Sequence, residues 1–270
     1  MSNLATGLRD AAGQYPQRPA ISLRGSVLTY ADLDELSARA AGGMLARGVR
    51  AGDRVGLALL DVPAFAVLHF GALRIGAVVV TGDARSGHRN LRRHFGSVGP
   101  QLIFVASGAM PPQDHNAASM WVPAGPGILA EIALWPRHDD LTQRDDDPAV
   151  AYVRPGLADI CTAAELTHGT MRGDAYVAAV ALLGSTPEDT VVATLPVIHP
   201  AGQSCGLNAT VLAGACLTLH PDAEAPRALS AREPLSEAAL VAGKTHQLHS
   251  DVPPNVTRLT PRTPSAASRC

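Results

Sequence analysis

The sequence predicts an α/β protein with a largely buried sheet. Apolar segments of strand length alternate with amphipathic segments of helix length over most of the chain. Several strand-length segments, such as 77–80 and 101–105, are apolar almost without interruption, a pattern typical of parallel strands that are covered on both faces. Hydrophobic residues make up 46% of the 270 residues and charged residues 17%, so the chain has enough apolar side chains for a large buried core.

The first part of the chain is predicted to form a helix, a hairpin and a second helix. Residues 3–15 place apolar side chains three and four positions apart, which is the helical spacing. Residues 24–26 separate two short apolar stretches and indicate a hairpin turn. Thr29 begins a helix that extends to about Arg47, and Gly48 ends it.

A strand–helix–strand unit is predicted next, over residues 54–60, 63–75 and 77–80. Its helix begins at Pro63, where the fixed φ of proline suits the first helical turn and no amide hydrogen bond is lost. A basic helix around residues 90–94 and a strand at 101–105 continue the alternation. Residues 107–118 are rich in Gly, Pro, Asn and Asp and predict an exposed connection.

The acidic stretch 144–148 marks a boundary, after which the alternation resumes. The pattern predicts strands at 149–153, 190–195 and 216–219 and helices at 167–183 and 203–212, with a loop before the first of these helices. Residues 222–270 contain six prolines and no aromatic residue, Ile or Met, so they lack the large side chains that form a core. We therefore predict one domain over residues 1–221 and an irregular, mobile tail over 222–270.

Charge, hydropathy and cysteine content exclude several function classes. Lys and Arg total 22 and Asp and Glu total 24, so no overall positive field exists to hold a nucleic acid. The apolar runs are shorter than a membrane span, and the N-terminus lacks the pattern of a signal peptide. The four cysteines form no C-x-x-C pair, which favours reduced thiols. We therefore predict a cytoplasmic protein.

Short motifs follow one another in a fixed order along the chain. They are LTYADL at 28–33, GDRV at 52–55, DVPAF at 61–65, GALRIGAVVV at 71–80, AELTH at 164–168, and LPVIH at 195–199 with Gly202. In this order the motifs resemble the N-terminal half of the adenylate-forming, AMP-binding enzymes, and the fatty-acid-CoA ligases among the acyl-CoA synthetases in particular. The resemblance covers roughly residues 3–221 and implies the N-terminal subdomains of that fold, which have layered sheets with flanking helices. Thr81 occupies the position where the family has a proline.

The resemblance implies a two-step reaction. In the family, a carboxylate attacks the α-phosphate of ATP with Mg²⁺ present, and the acyl adenylate then transfers its acyl group to a thiol such as CoA. A fatty acid and CoA are the implied partners. His199 and Gly202 match family positions near the acyl pocket, so they are the predicted substrate-binding residues; a structural histidine is the alternative interpretation of His199.

This sequence departs most from the family pattern at the phosphate-binding loop. The family sequence S-G-T-T-G-x-P-K-G aligns with residues 155–163, where Gly156 is the only match and Thr162 replaces the lysine. Asp159 adds a carboxylate where an anion should approach, and two unit charges about 4 Å apart repel by roughly 4 kcal/mol at an effective dielectric of about 20. Gly156 and Thr162 are therefore predicted to form a degenerate cofactor loop that does not bind ATP in the family manner.

Two functional hypotheses follow from these departures. The sequence also lacks the Y-G-x-T-E and T-G-D motifs and a counterpart of the family's catalytic lysine, since Lys244 lies in the tail. The preferred hypothesis is a truncated pseudoenzyme that cannot adenylate a carboxylate alone. The alternative is an active acyl-CoA ligase completed by a second, C-terminal chain.

Four other polar features are given structural rather than functional interpretations. Asp145–Asp147 is interpreted as a linker rather than a metal site, Thr167 as a helix cap, and Cys161 as an unreactive thiol. A basic cluster is interpreted as a solvated helix face and consists of Arg89, Arg92, Arg93 and His94.

Overall fold

The computed structural model describes residues 3–111, 119–141, 143–154, 162–182, 184–193, 195–219 and 242–245. In chain order the strands of this part are β1 (Pro19–Leu23), β2 (Ser26–Thr29), β3 (Arg54–Ala58), β4 (Val78–Thr81), β5 (Leu102–Val105), β6 (Met120–Pro123), β7 (Pro148–Arg154), β8 (Thr162–Thr167), β9 (Thr190–Ala193), β10 (Cys216–Thr218) and β11 (Ala242–Thr245). The α-helices are α1 (Ala5–Gln14), α2 (Tyr30–Ala46), α3 (Pro63–Arg74), α4 (Gly87–Gly96), α5 (Ile128–Ile132), α6 (His168–Tyr176) and α7 (Ala209–Ala213). Two π-helical segments, Val177–Leu182 and Gly202–Asn208, adjoin α6 and α7.

The strands form two sheets. Sheet A has the order β11-β9-β10-β1-β2, with β9, β10 and β1 parallel and the two outer strands antiparallel to their neighbours. Sheet B has the order β6-β5-β3-β4-β7-β8, parallel except for β8 at its edge. Because the parallel strands of each sheet point the same way, the loops at their carboxyl ends gather at one edge.

Helices cover both faces of sheet B, and alternate residues of its strands contact opposite layers. Val79 of β4 and Phe104 of β5 belong to the main core with residues of α2, α3 and sheet A. Val80 and Ile103, which are adjacent to these residues in each strand, belong to a second core with Phe95 of α4. Successive side chains of a strand point to opposite faces, so burial of both faces requires an uninterrupted apolar strand. This confirms the α/β class with layered sheets that the sequence predicts.

The start of α2 shows how one motif fixes local structure. The Thr29 hydroxyl accepts a hydrogen bond from the Asp32 amide, and the Asp32 carboxylate accepts one from the Thr29 amide at 3.0 Å, so both side chains cap the helix. The Tyr30 side chain is fully buried, and its hydroxyl donates to the Ala215 carbonyl at 2.7 Å. The motif therefore both starts α2 and ties it to sheet A.

Most predicted elements are present, and the differences have local causes. The predicted loop before α6 is wrong in its second part, because 162–167 forms β8, paired with β7. Strand β6 and helix α5 were not predicted; both are short, and β6 is held by its pairing with β5. Within the tail, 242–245 pairs with β9, and the rest of 222–270 lies outside the described residues, so the predicted domain boundary and mobility remain predictions.

Candidate functional site

A cleft opens where the carboxyl ends of β4 and β7 in sheet B face the loop that follows β9 in sheet A. Its volume is about 700 Å³. The wall is formed by Thr81, Gly82, Asp83, Ser86, Asn90, Leu91, His94, Tyr152, Val153, Ala164, Leu166, Pro196, Ile198, His199 and Pro200. The carboxyl edge of a parallel sheet is where α/β folds place their ligands, so this position favours a binding site.

His199 lies at the cleft on the loop after β9. Its Nδ1 accepts a hydrogen bond from the Ala201 amide at 3.2 Å, and its own amide donates to the Pro196 carbonyl at 2.9 Å. Because Nδ1 is an acceptor, the proton of the neutral imidazole is on Nε2. The cleft therefore contains an imidazole that is held by its own loop and can donate a hydrogen bond through Nε2.

Two side chains from sheet B bind the same loop. Asp61, just after β3, accepts a hydrogen bond from the Val197 amide at 2.9 Å. The Thr81 hydroxyl, at the end of β4, donates to the Ile198 carbonyl at 3.0 Å. Burial raises the pKa of Asp61, and the hydrogen bond from Val197 opposes that rise by favouring the carboxylate. These two contacts join the sheets beside His199.

Tyr152 lines the cleft and is held from behind by a buried polar side chain. The Tyr152 hydroxyl donates to the Gln203 Oε1 at 3.1 Å, and Gln203 is fully buried in the π-helical segment. Burial raises the pKa of Tyr152, with a smaller contribution from Asp174, so the phenol stays neutral. Tyr152 therefore contributes a fixed, uncharged side chain to the wall of the cleft.

Helix α4 forms a third wall. Asn90 and His94 line the cleft, and the His94 Nε2 lies 2.7 Å from the Thr81 carbonyl oxygen. Arg89 and Arg93 are exposed on this helix, as predicted. The prediction of a solvated face is wrong for Arg92, which is half-buried, and for His94, which lines the cleft. The cleft therefore has polar side chains on its wall and a basic helix beside its opening.

Comparison with known proteins decides the family. The sequence matches the AMP-binding enzyme family over residues 8–154. This chain belongs to the AMP-binding enzyme family. A feruloyl-CoA synthase from Amycolatopsis sp is 29% identical to this chain over 230 residues, which cover 81% of this chain and 44% of the relative. The salicyl-AMP ligase / salicyl-S-ArCP synthetase of Mycobacterium tuberculosis is 28% identical over 266 residues, covering 85% of this chain and 44% of the relative. The chain thus spans less than half the length of these relatives.

Solved structures of AMP-binding enzymes share the fold. The N-terminal domain of FACL13 from Mycobacterium tuberculosis has a TM-score of 0.73 at 21% identity, over 85% of this chain and 60% of that one. The apo structure of MatB from Rhodopseudomonas palustris also has a TM-score of 0.73, at 22% identity, over 86% of this chain and 48% of that one. The described residues therefore have the architecture of the N-terminal part of these enzymes.

The predicted site residues have different positions in this fold. His199 lines the cleft. Gly202 is buried against the loop that carries His199, and a Cβ there would lie 2.1 Å from the Pro196 carbonyl oxygen, so close packing explains the glycine. Gly156 lies outside the described residues, and of Thr162 the structure describes the backbone, at the start of β8. Their predicted binding functions remain predictions.

The sequence-based interpretation missed three polar residues of this region. Tyr152 lies within β7, Thr81 is the last residue of β4, and Asp61 follows β3. Nothing local therefore distinguishes them from structural residues. The signal for Thr81 was its departure from the family's proline.

The acidic residues at 145–147 and the helices were also compared with the requirements of a metal site and of a membrane span. Asp145 forms an ion pair with Arg172 at 2.5 Å, and Asp147 accepts a hydrogen bond from the Arg144 amide at 2.7 Å. Among the described residues, no three His, Cys, Asp or Glu side chains are grouped closely enough to bind a metal ion. None of the helices described here has the length and apolar composition needed to cross a bilayer.

Proposed function

We propose that this chain is an acyl-CoA synthetase-like member of its family that holds a carboxylic acid in the cleft beside His199 and, by itself, does not adenylate it. The absence of adenylation is inferred from one observation, which is the set of side chains that residues 155–163 offer to a phosphate. That stretch offers one carboxylate, from Asp159, and no lysine, where the family loop offers hydroxyls and a lysine. The protein is accordingly a pseudoenzyme in isolation.

The donor set does not fit ATP with Mg²⁺. A triphosphate needs cations and closely approaching amides, because its negative charge must be neutralised at each phosphate. Leu157 and Ala158 replace hydroxyl residues, Thr162 replaces the cation, and Asp159 repels an anion. The reaction that the family performs on ATP is therefore not assigned to this chain alone.

The cleft itself suits a carboxylic acid with an apolar body. Leu91, Val153, Leu166 and Ile198 supply apolar wall, which favours burial of a hydrocarbon or aromatic group. The His199 imidazole supplies a donor for a carboxylate oxygen. Feruloyl-CoA synthase and salicyl-AMP ligase, by their names, act on aromatic acids, and one further relative is a long-chain fatty acid transport protein. Ferulate and a fatty acid are therefore the two ligands to test first.

A second candidate function is an active acyl-CoA ligase completed by another polypeptide. It is favoured by the extent of the match, since this chain covers 44% of the feruloyl-CoA synthase relative. A separate chain could then supply CoA binding and the family's missing motifs.

The test is pyrophosphate exchange. The purified chain is incubated with ATP, Mg²⁺, labelled pyrophosphate and either ferulate or a fatty acid, and we expect no carboxylate-dependent label in ATP above a protein-free control. The physical reason is the loss of phosphate neutralisation at the loop. Exchange above the control would contradict the proposal.

A variant with a repaired loop tests whether the loop alone accounts for the absence of adenylation. The change Leu157→Thr, Ala158→Thr, Asp159→Gly and Thr162→Lys restores two hydroxyls, a glycine and the lysine of the family loop. We expect weak ATP binding at most and no turnover. The contributions of residues that act together in a transition state are not additive, so restoring one group of them recovers little activity. Turnover by the repaired variant alone would show that the apparatus is complete. Turnover of the unrepaired chain only after mixing with a C-terminal half of a relative would support the second candidate.

A further inference from the structure

The loop beside the cleft is held at two adjacent backbone positions by side chains from the other sheet. The Val197 amide donates to the Asp61 carboxylate, and the Ile198 carbonyl accepts from the Thr81 hydroxyl, at 2.9 and 3.0 Å. The partners are 136 and 117 residues apart in sequence. These contacts fix the position of the loop relative to sheet B immediately before His199.

The orientation of His199 depends on this loop. Its amide donates to the Pro196 carbonyl, its carbonyl accepts from the Gln203 amide, and its Nδ1 accepts from the Ala201 amide. All of these partners belong to the loop or to the helical segment that follows it. The position of Nε2 in the cleft is therefore set by the backbone that Asp61 and Thr81 hold.

The Thr81 contact is specific to the side chain that this sequence has. Thr81 is 7% exposed and Asp61 is 8% exposed, so water does not readily replace either contact. The family resemblance places a proline at position 81, and proline has no side-chain donor for the Ile198 carbonyl. This hydrogen bond is partly buried, and a carbonyl that loses its partner there carries a free-energy cost, so the hydroxyl makes a contribution that a proline cannot.

We propose that Thr81 and Asp61 are positioning residues, which hold the Val197–Ile198 peptide so that His199 presents its Nε2 proton to the ligand in the cleft. Neither side chain acts on the ligand through this contact; each acts through the loop. The ligand part of the proposal rests on the proposed function, whereas the effect on His199 does not.

The first experiment observes His199 without a ligand. The imidazole nitrogens of the whole chain are labelled with ¹⁵N, and the His199 signals are assigned by their loss in His199→Gln, since the chain has 10 histidines. At a pH where the imidazole is neutral, we expect one Nε2–H tautomer in the wild type. In Thr81→Val, which keeps the shape and removes the hydroxyl, we expect a mixture of tautomers with broadened signals. Thr81→Ser should restore the wild-type spectrum.

Controls separate positioning from general destabilisation. Asp61→Asn retains an oxygen that can accept from the Val197 amide, so it should leave the His199 tautomer unchanged. Circular dichroism should show that each variant is folded at the temperature of the measurement. A His199 spectrum in Thr81→Val that equals the wild type would overturn the proposal, and so would a Thr81→Ser spectrum that equals that of Thr81→Val.

The second experiment measures ferulate binding by calorimetry. Loss of the positioning hydrogen bond should weaken binding by about 3- to 10-fold in Thr81→Val, with recovery in Thr81→Ser. If the wild type binds no ferulate or fatty acid while the His199 tautomer responds to Thr81→Val, the proposed ligand is wrong and the positioning of His199 stands. If ferulate binds equally to the wild type and both variants, positioning for the ligand is wrong and the proposed function stands.

Discussion

Replacing Asp34 with alanine is expected to lower the free energy of unfolding by about 3 kcal/mol. Asp34 on α2 forms an ion pair with Arg74 at the end of α3, and the Arg74 side chain is 1% exposed. Burial lowers the pKa of Arg74, and Asp34 is the main group that opposes this. Without Asp34 a buried guanidinium would retain the Ser37 hydroxyl at 3.0 Å and lose its nearest counter-charge.

A double variant distinguishes a lost ion pair from lost packing. In Asp34→Ala with Arg74→Met no charge remains buried, and methionine replaces much of the arginine volume, so most of the stability should return. Urea unfolding followed by circular dichroism measures all three proteins. A loss below about 1 kcal/mol in Asp34→Ala would show that the pair contributes as little as an exposed one.

Stability is expected to fall steeply as the pH drops below about 6.5. Burial lowers the pKa of His69 to about 3, with Asn208 opposing the change and His168 adding to it. Burial likewise lowers the pKa of His168 to about 4, although Asp147 opposes the change. The unfolded chain therefore binds protons at a higher pH than the folded chain. Stability from these groups is complete above pH 6.5 and decreases by about 1.4 kcal/mol per pH unit for each imidazole. The decrease ends near pH 4 for His168 and near pH 3 for His69.

The matched control is His69→Phe. The His69 ring stacks on Phe65 at 6.0 Å between ring centroids and meets the edge of Phe70 at 5.2 Å, so a phenyl ring suits its surroundings. Urea unfolding between pH 7 and pH 5 should show about half of the wild-type loss in this variant. Titration of carboxylates such as Asp61 is common to both proteins and cancels in the comparison. Equal pH dependence in the two proteins would contradict burial of a neutral His69.

Several features of the fold were predictable because they depend on neighbouring residues. The cap formed by Thr29 and Asp32 and the start of α3 at Pro63 are local, and the structure has both. The apolar strands β4 and β5 were predictable because burial on both faces leaves few alternatives. Strand β8 was not, since its small and polar residues become a strand by pairing with β7.

Of the candidate site, the sequence predicted His199 but not the side chains that surround it. His199 was found because it matches a family motif. Tyr152 and Gln203 are 51 residues apart, and nothing in either local sequence shows that their side chains share a hydrogen bond. Proximity of this kind follows from the relative position of two sheets, which no short motif specifies.

The sequence by itself determined the alternation of strands and helices and the family resemblance, because each depends on the identity and spacing of neighbouring residues. The absence of the family's phosphate-binding donors from residues 155–163 stays a prediction from the sequence. The tertiary structure decided which atoms meet. It placed Asp61 and Thr81 on the backbone just before His199, and Arg74 in the interior beside Asp34. The physical reason is that a hydrogen bond or ion pair requires atoms within about 3–4 Å, and packing of whole layers sets such distances between distant segments.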